Sequence, residues 1–226
     1  MVSTVVIIPA YNEGARIGEV VRGVRETVPE YDVLVVDDGS RDNTGTGAMA
    51  AGAEVISHPF NLGYGVAIQT GYKYALAQEY EYLVQMDGDG QHDPSCIPRL
   101  LAPVMAGETD FALGSRFLGR AHNIPQSRKV VLTLGIWFTR LVSRVRISDV
   151  HNGLRAFSRP AATSLHIHMD RMAHASEILD QIREAHWRYQ EVPVSVYYSP
   201  YSLSKGQSSW NALKIGFELL FGKLAK

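Results

Sequence analysis

Tyr82-Leu83-Val84-Gln85-Met86-Asp87-Gly88-Asp89-Gly90-Gln91-His92-Asp93-Pro94 is the stretch from which the rest of the chain is read. An apolar, strand-like run from Tyr82 to Met86 breaks off at Asp87-Gly88-Asp89, with glycine on both sides of the second carboxylate. Glycine lets the backbone turn tightly and approach a ligand closely. Two carboxylates one residue apart at a strand end suit a hard divalent cation, which takes oxygen ligands and bridges to phosphates. Gln91 and His92 follow within reach of the same point. Alone, the pattern is equally that of an Asp/Gly turn, since both residues favour turns for local reasons. A D-x-D gains meaning only from its context.

That context repeats upstream. Val5-Val6-Ile7-Ile8 is a short β-branched run stopped by Pro9, as expected of a buried parallel strand. Ile17, Val20, Val21, Val24 and Val28 follow at helical spacing up to Pro29. Val33-Leu34-Val35-Val36 is a second buried strand, running into Asp37-Asp38-Gly39-Ser40. A short helix over Thr44–Ala51, a strand at Glu54–Ile56 and a helix over Gly65–Ala77 lead to the Tyr82–Met86 strand. Strands alternating with helices predict right-handed crossovers and a largely parallel sheet covered on both faces. Ligands of such sheets bind beyond the carboxyl ends of the strands. The polar clusters fall there: Tyr11-Asn12-Glu13, Asp37-Asp38, and Asp87 with Asp89.

The second half is less regular. Phe111–Gly114 is expected to be a strand leading to Ser115 and Arg116, and residues 127–147 a long helix with Arg128, Lys129, Arg140, Arg144 and Arg146 among apolar residues. Asp149–Ser158 reads as a turn entering a strand, Ala173–Trp187 as a helix, Gln190–Tyr198 as an alternating strand and Tyr201–Ser209 as a polar loop. Residues 210–226 form an amphipathic tail, with Leu213, Phe217, Leu220, Phe221 and Leu224 on one stripe.

Composition narrows the class. The 226 residues fit one domain, with no repeat, low-complexity region or linker to divide them. A hydrophobic content of 46% and a charged content of 20% are those of a globular protein with a sizeable core. A formal net charge of -1 supplies no field for nucleic acid. The single cysteine, Cys96, excludes an intramolecular disulfide and suits a reducing cytoplasm. The N-terminus lacks the basic leader and apolar core of a signal peptide. No apolar run approaches the roughly 18–20 residues that cross a bilayer.

Four elements in order carry a resemblance: Ile8-Pro9-Ala10-Tyr11-Asn12-Glu13, Val36-Asp37-Asp38-Gly39-Ser40 with Asp42 and Thr44, Asn61-Leu62-Gly63-Tyr64-Gly65, and Asp87 through His92. Together they resemble the family 2 glycosyltransferases, whose fold is the nucleotide-sugar-binding GT-A fold. Gln91-His92-Asp93-Pro94 and Asn152-Gly153-Leu154-Arg155-Ala156-Phe157 look most like the polyprenyl-phosphate (dolichol-phosphate type) branch. The resemblance implies a single α/β domain, mostly parallel in its sheet, with a nucleotide-sugar-binding half at 1–116 and an acceptor-side half at 117–209. It implies a UDP- or GDP-sugar donor held by Pro9, Tyr11, Glu13 and Asp38, with Asp38 at the base or ribose. Asp87, Asp89 and Gln91, with Gly88 between the carboxylates, would hold Mg2+ or Mn2+ against the diphosphate, and Arg116 would contact phosphate or sugar.

On the acceptor side the resemblance points to Arg128, then Lys129, as receivers of a lipid phosphate. Relatives carry a Gly-x-Ser-Lys element whose lysine meets donor phosphates; here serine stands in its place, and Lys205 precedes the glycine. A lipid phosphate is already an anion and needs no strong base, whereas a sugar hydroxyl must lose a proton to a carboxylate. Asp149 and Glu177 are the fallback bases for that alternative, a transferase acting on saccharide hydroxyls. A non-catalytic nucleotide-sugar-binding module is the third possibility. A polyprenyl phosphate acceptor implies docking at the inner face of the cell membrane. The tail helix, or the 127–147 helix through Trp137 and Phe138, would supply the contact. Some relatives carry transmembrane helices after the catalytic domain, so a separate small membrane protein is expected as anchor.

Overall fold

The computed structural model describes residues 3–125, 147–167 and 173–201. Seven strands form one sheet: β1 (Thr4–Ala10), β2 (Asp32–Asp37), β3 (Glu54–Ser57), β4 (Tyr82–Gln85), β5 (Phe111–His122), β6 (Arg155–Ser158) and β7 (Tyr189–Tyr197). Their order is β3-β2-β1-β4-β6-β5-β7. Every neighbouring pair is parallel except those involving β6, which runs against β4 and β5. Helices α1 (Ile17–Thr27), α2 (Thr44–Ala50), α3 (Tyr64–Ala77), α4 (Ile97–Met105), α5 (Arg159–Ser164) and α6 (Ala173–Glu184) complete the described elements, with a 3-10 turn at Pro94–Cys96 before α4.

The continuous apolar runs of β1 and β2 follow from burial on both faces. Val6 and Ile8 pack with Val33 and Val35 in one cluster, against Ile17, Val20, Val21 and Val24 of α1 and Leu100 and Leu101 of α4. Val5 and Ile7 turn the other way with Leu34 and Val36, against Ile68 and Tyr72 of α3 and Ile178 and Ile182 of α6. The strand period of two divides each run between two cores.

Two expectations are corrected, at Pro9 and at the end of β5, and two features were not anticipated, the reversed β6 and helix α4. Pro9 does not stop β1 but lies within it, opposite Val36. The Ile7 carbonyl accepts from Met86 N at 3.0 Å while the Ala10 carbonyl accepts from Asp38 N at 2.9 Å. Odd-numbered residues of β1 therefore face β4, and the donor that Pro9 lacks points where β4 has already turned away. The sheet is largely parallel, but β6 is reversed. The strand expected at Phe111–Gly114 runs on to His122, with an irregularity between Ser115 and Arg120 in its pairing to β7. Helix α4 was hidden by Pro98 and Pro103: the first sits in the opening turn, where no N–H is needed, and the second near the end. The 127–146 part of the long basic helix and the tail from 210 onward lie outside the described residues. Among those described, no helix is long and apolar enough to cross a membrane.

Phe157 of β6 sits at the centre of the second core, its ring 5.1 Å from that of Tyr72 and 5.5 Å from that of Phe111. Phe157→Ala is expected to cost about 3–5 kcal/mol of unfolding free energy, read from denaturant titration.

Candidate active site

Three loops meet at the carboxyl edge of the parallel strands. The first two are sewn together by side chains. Asn12 adopts a left-handed backbone (φ 54°), a conformation open to asparagine through its short polar side chain. Its N–H donates to Ser40 Oγ (2.9 Å) and its Oδ1 accepts from Arg41 N (2.9 Å). Glu13 N donates to Thr44 Oγ1 (2.8 Å) and Gly14 N to Asp42 Oδ2 (3.0 Å). Pro9 is buried in the strand, and Tyr11 is left facing outward, 42% exposed. Glu13 is nearly buried and accepts a hydrogen bond from the Tyr201 hydroxyl at 2.8 Å. The Arg16 guanidinium lies 5.7 Å from the centre of the Tyr201 ring, within cation–π range. A residue at the far end of the described chain thus closes onto the exit of β1.

Asp38, expected at the base or ribose, is turned inward and only 2% exposed. Its oxygens accept from Leu62 N (2.9 Å) and Gly63 N (2.9 Å), and Oδ1 lies 2.7 Å from His58 Nδ1. His58 Nε2 is 3.0 Å from Thr70 Oγ1. Gly39, at φ 68°, presses against the Phe60 backbone, where a Cβ would lie 2.3 Å from the Phe60 carbonyl carbon. Asp38 therefore folds the 58–63 loop around itself. The Asn61–Gly65 element is the strap that this carboxylate holds.

The third loop carries Asp87 and Asp89. Asp87 keeps 30% of its side chain exposed. Its Oδ1 accepts from the Tyr64 hydroxyl and its Oδ2 lies 3.1 Å from His92 Nε2. Partial burial opposes its charge, but the hydrogen bond and charge of His92 and the Tyr64 hydroxyl outweigh it and hold Asp87 below the ordinary carboxylate range. Asp89, whose Oδ1 accepts from Gln91 N at 3.0 Å, is pushed up to about 6 by burial and then by the negative charge of Asp87. Gly88 packs on Pro9 and Ala10. Gly153 lies so close to Asp87 that a Cβ there would sit 2.0 Å from Oδ2. Among the described residues no three His, Cys, Asp or Glu side chains converge into a complete metal shell. Asp87 and Asp89 stand two residues apart on this turn with Gln91 two further on, and side-chain oxygens are the donors a hard cation takes.

Arg116 and Asp149 are brought together as an ion pair. Arg116, 6% exposed, donates from Nε to Asp149 Oδ2 at 2.6 Å, from Nη1 to the Tyr198 hydroxyl at 2.5 Å and from Nη2 to the His151 carbonyl at 3.0 Å. Asp149 Oδ2 also accepts from Arg116 N and Asn152 Nδ2. The arginine expected at phosphate or sugar, and the aspartate expected as fallback base, are the two halves of a buried ion pair. Burial opposes the Arg116 charge, and Asp149 and Tyr198 more than restore it. His151 beside them is lowered to about 4, by burial first and also by Arg116 and Arg155, so it is neutral at physiological pH. The pair pins the 149–154 loop, whose far end places Gly153 against Asp87. Glu177 is half-buried on α6. Arg128, Lys129 and Lys205 lie outside the described residues.

Tyr64 and Gly153 stood inside quoted sequence elements without a role, and their signal was their place in those elements. Tyr198, Tyr201 and His58 had no signal, because only the folded chain brings them to the site.

The sheet order, with an acidic turn at the carboxyl end of β4, is the architecture of the GT-A fold. The sequence model described as "Glycosyl transferase family 2" matches residues 5–162, and the chain belongs to that family. It is 32% identical over 243 residues to the UDP-N-acetylglucosamine--dolichyl-phosphate N-acetylglucosaminyltransferase of Methanococcus voltae, covering 97% of this chain and 96% of that protein. It is 38% identical over 158 residues to the undecaprenyl-phosphate mannosyltransferase of Micrococcus luteus, covering 67% of this chain and 64% of that one. In fold it matches glucosyl-3-phosphoglycerate synthase of Mycobacterium tuberculosis, crystallised with Mn2+, UDP and glucosyl-3-phosphoglycerate. The TM-score is 0.72 at 20% identity, covering 96% of this chain and 79% of that structure.

Two outcomes follow from the charges. Asp89 binds its proton more tightly when folded than when unfolded, so its contribution to stability is present at low pH and lost as pH rises through about 6. Without metal, Asp89→Asn is expected to melt higher than the wild type at pH 8, with the gap narrowing towards pH 5 in thermal scans. Asp149→Ala leaves Arg116 buried without its partner and is expected to cost about 3–5 kcal/mol in denaturant unfolding.

Proposed function

We propose that the protein transfers a hexose, with inversion, from a UDP- or GDP-sugar to a polyprenyl phosphate at the inner face of the cell membrane. The observation that carries the acceptor is the engagement of Asp149. Asp149, a fallback base for a hydroxyl acceptor, is 4% exposed and its Oδ2 is taken up by Arg116 Nε at 2.6 Å, by Arg116 N and by Asn152 Nδ2, so its geometry is that of a buried ion pair. A phosphate acceptor is already ionised and asks for no such base. The relatives from M. voltae and M. luteus, named for dolichyl and undecaprenyl phosphate, support the same acceptor class.

Asp87, Asp89 and Gln91 would hold Mg2+ or Mn2+, which when bound neutralises charge on the departing nucleoside diphosphate as a Lewis acid. The likeness to a fold whose M. tuberculosis member was crystallised with Mn2+ and UDP supports that assignment. Tyr11, exposed at the exit of β1, is assigned to the nucleoside together with Glu13, which accepts from the Tyr201 hydroxyl. In the transfer, an acceptor phosphate oxygen forms the new bond to the sugar anomeric carbon. The bond from that carbon to the diphosphate oxygen breaks, and its electron pair leaves with the nucleotide. Arg128 and Lys129 are assigned to the acceptor phosphate and Lys205 to the donor diphosphate. Docking on the membrane, directly or through a small membrane protein, is part of the same proposal.

Incubating the protein with undecaprenyl phosphate, Mn2+ and labelled UDP- and GDP-sugars is expected to give a labelled, solvent-extractable lipid that chelator suppresses. Asp89→Asn should lower the yield at least about 100-fold, and Arg128→Ala should raise the KM for the lipid. A labelled product that stays in water, and is lost in Glu177→Gln, would favour the saccharide-hydroxyl alternative. No labelled product from any common donor would count against the proposal.

A further inference from the structure

Beneath Asp87 a line of polar side chains runs down into the apolar core under α3. The Tyr64 hydroxyl donates to Asp87 Oδ1. Gln85 Nε2 reaches the Tyr64 oxygen at 3.4 Å, and the Tyr72 hydroxyl donates to Gln85 Oε1 at 2.5 Å. Gln85 and Tyr72 are fully buried. Buried polar groups are costly unless each is satisfied. Apolar residues would fill the same space against Ile68 and Phe157 without that requirement. The chain ends on one atom of one carboxylate.

The geometry explains what the line does. Tyr64 and Tyr72 stand eight residues apart on α3, two turns along one helix face. Gln85 is the last residue of β4, two before Asp87. Helix and strand are both rigid, so the Tyr64 hydroxyl is fixed relative to the turn. The Tyr64 ring also packs on that of His174, with centroids 4.7 Å apart. Tyr64 takes one side of the Asp87 carboxylate, His92 Nε2 takes the other at 3.1 Å, and Gly153 closes a third. Each carboxylate oxygen has two acceptor positions, so a carboxylate clamped in this way, with 30% of its side chain exposed, still has positions to offer.

We infer that Tyr64, braced by Gln85 and Tyr72, is a positioning residue that sets the orientation in which Asp87 meets a divalent cation. The inference rests on Asp87, Asp89 and Gln91 being the cation clamp of the proposed function. Outer partners of metal-binding carboxylates typically change affinity by about 10–100-fold when removed.

The test is calorimetric titration of UDP or GDP, whichever the wild type binds, into the full chain with saturating Mn2+ and again with chelator. In Y64F the enhancement of nucleotide affinity by Mn2+ is expected to fall about tenfold, while the affinity in chelator stays near wild type. Y72F, one link further down, should shift the enhancement in the same direction by less. An undiminished enhancement in Y64F would overturn the inference and leave the clamp standing. Equal losses with and without metal would assign Tyr64 a merely structural role and overturn it too. A wild type with no Mn2+ enhancement at all would remove the clamp and the inference together.

Discussion

Parallel strands end at one edge of a sheet, and the candidate site of this protein depends on that constraint for β1, β2 and β4. β1, β2 and β4 leave their turns side by side, and their backbone donors and acceptors beyond the last ladder bond must find partners locally. The β1 and β2 turns find them in each other, through Asn12 with Ser40 and Arg41 and through Glu13 with Thr44. β4 turns away after Gln85, and Pro9 is tolerated because no partner strand stands opposite its nitrogen. The gap so opened is where Asp87 and Asp89 project. Reversal of β6 adds one more loop to this edge, since its entry from 149–154 lies at the same end as the exit of β4.

Electrostatics divides the edge into two kinds of charge. Arg116 and Asp149 are a matched buried pair, satisfied by Tyr198, Asn152 and the His151 carbonyl, and they fix a loop. Asp87 and Asp89 are like charges on a short turn. One is held ionised by His92 and Tyr64, while the other is raised by burial and by the first. A cation would relieve that repulsion, so the turn is stable in its own right only at some cost. Arg116 and Asp149 neutralise each other, whereas Asp87 is held by His92 and Tyr64 and its charge acts on Asp89.

How much of this was legible in the sequence varies with the range of the interaction. The strands β1 to β4, and the helices between them, were readable because burial on both faces demands unbroken apolar runs with helical spacing between them. Asp87 and Asp89 were readable because glycine and carboxylates at a strand end are a local pattern. Asp38 was recognisable as part of a site element, but its direction was not. Whether a carboxylate after a strand points out to a ligand or in to Leu62 and Gly63 depends on a loop more than twenty residues away. Arg116 and Asp149 were singled out separately, and nothing in their spacing of thirty-three residues said that they would neutralise each other.

The sequence by itself determined the layered α/β architecture, the edge of the sheet at which the candidate site lies and the acidic turn there, because each is encoded by residues close in the chain. Only the tertiary structure decided the reversal of β6, the inward turn of Asp38, the Arg116–Asp149 pair, the reach of Tyr201 to Glu13 and the polar line from Tyr72 to Asp87. Each of those is a contact between side chains that the backbone path brings together from distant positions. A side chain's partner, unlike its periodicity, is set by the fold around it.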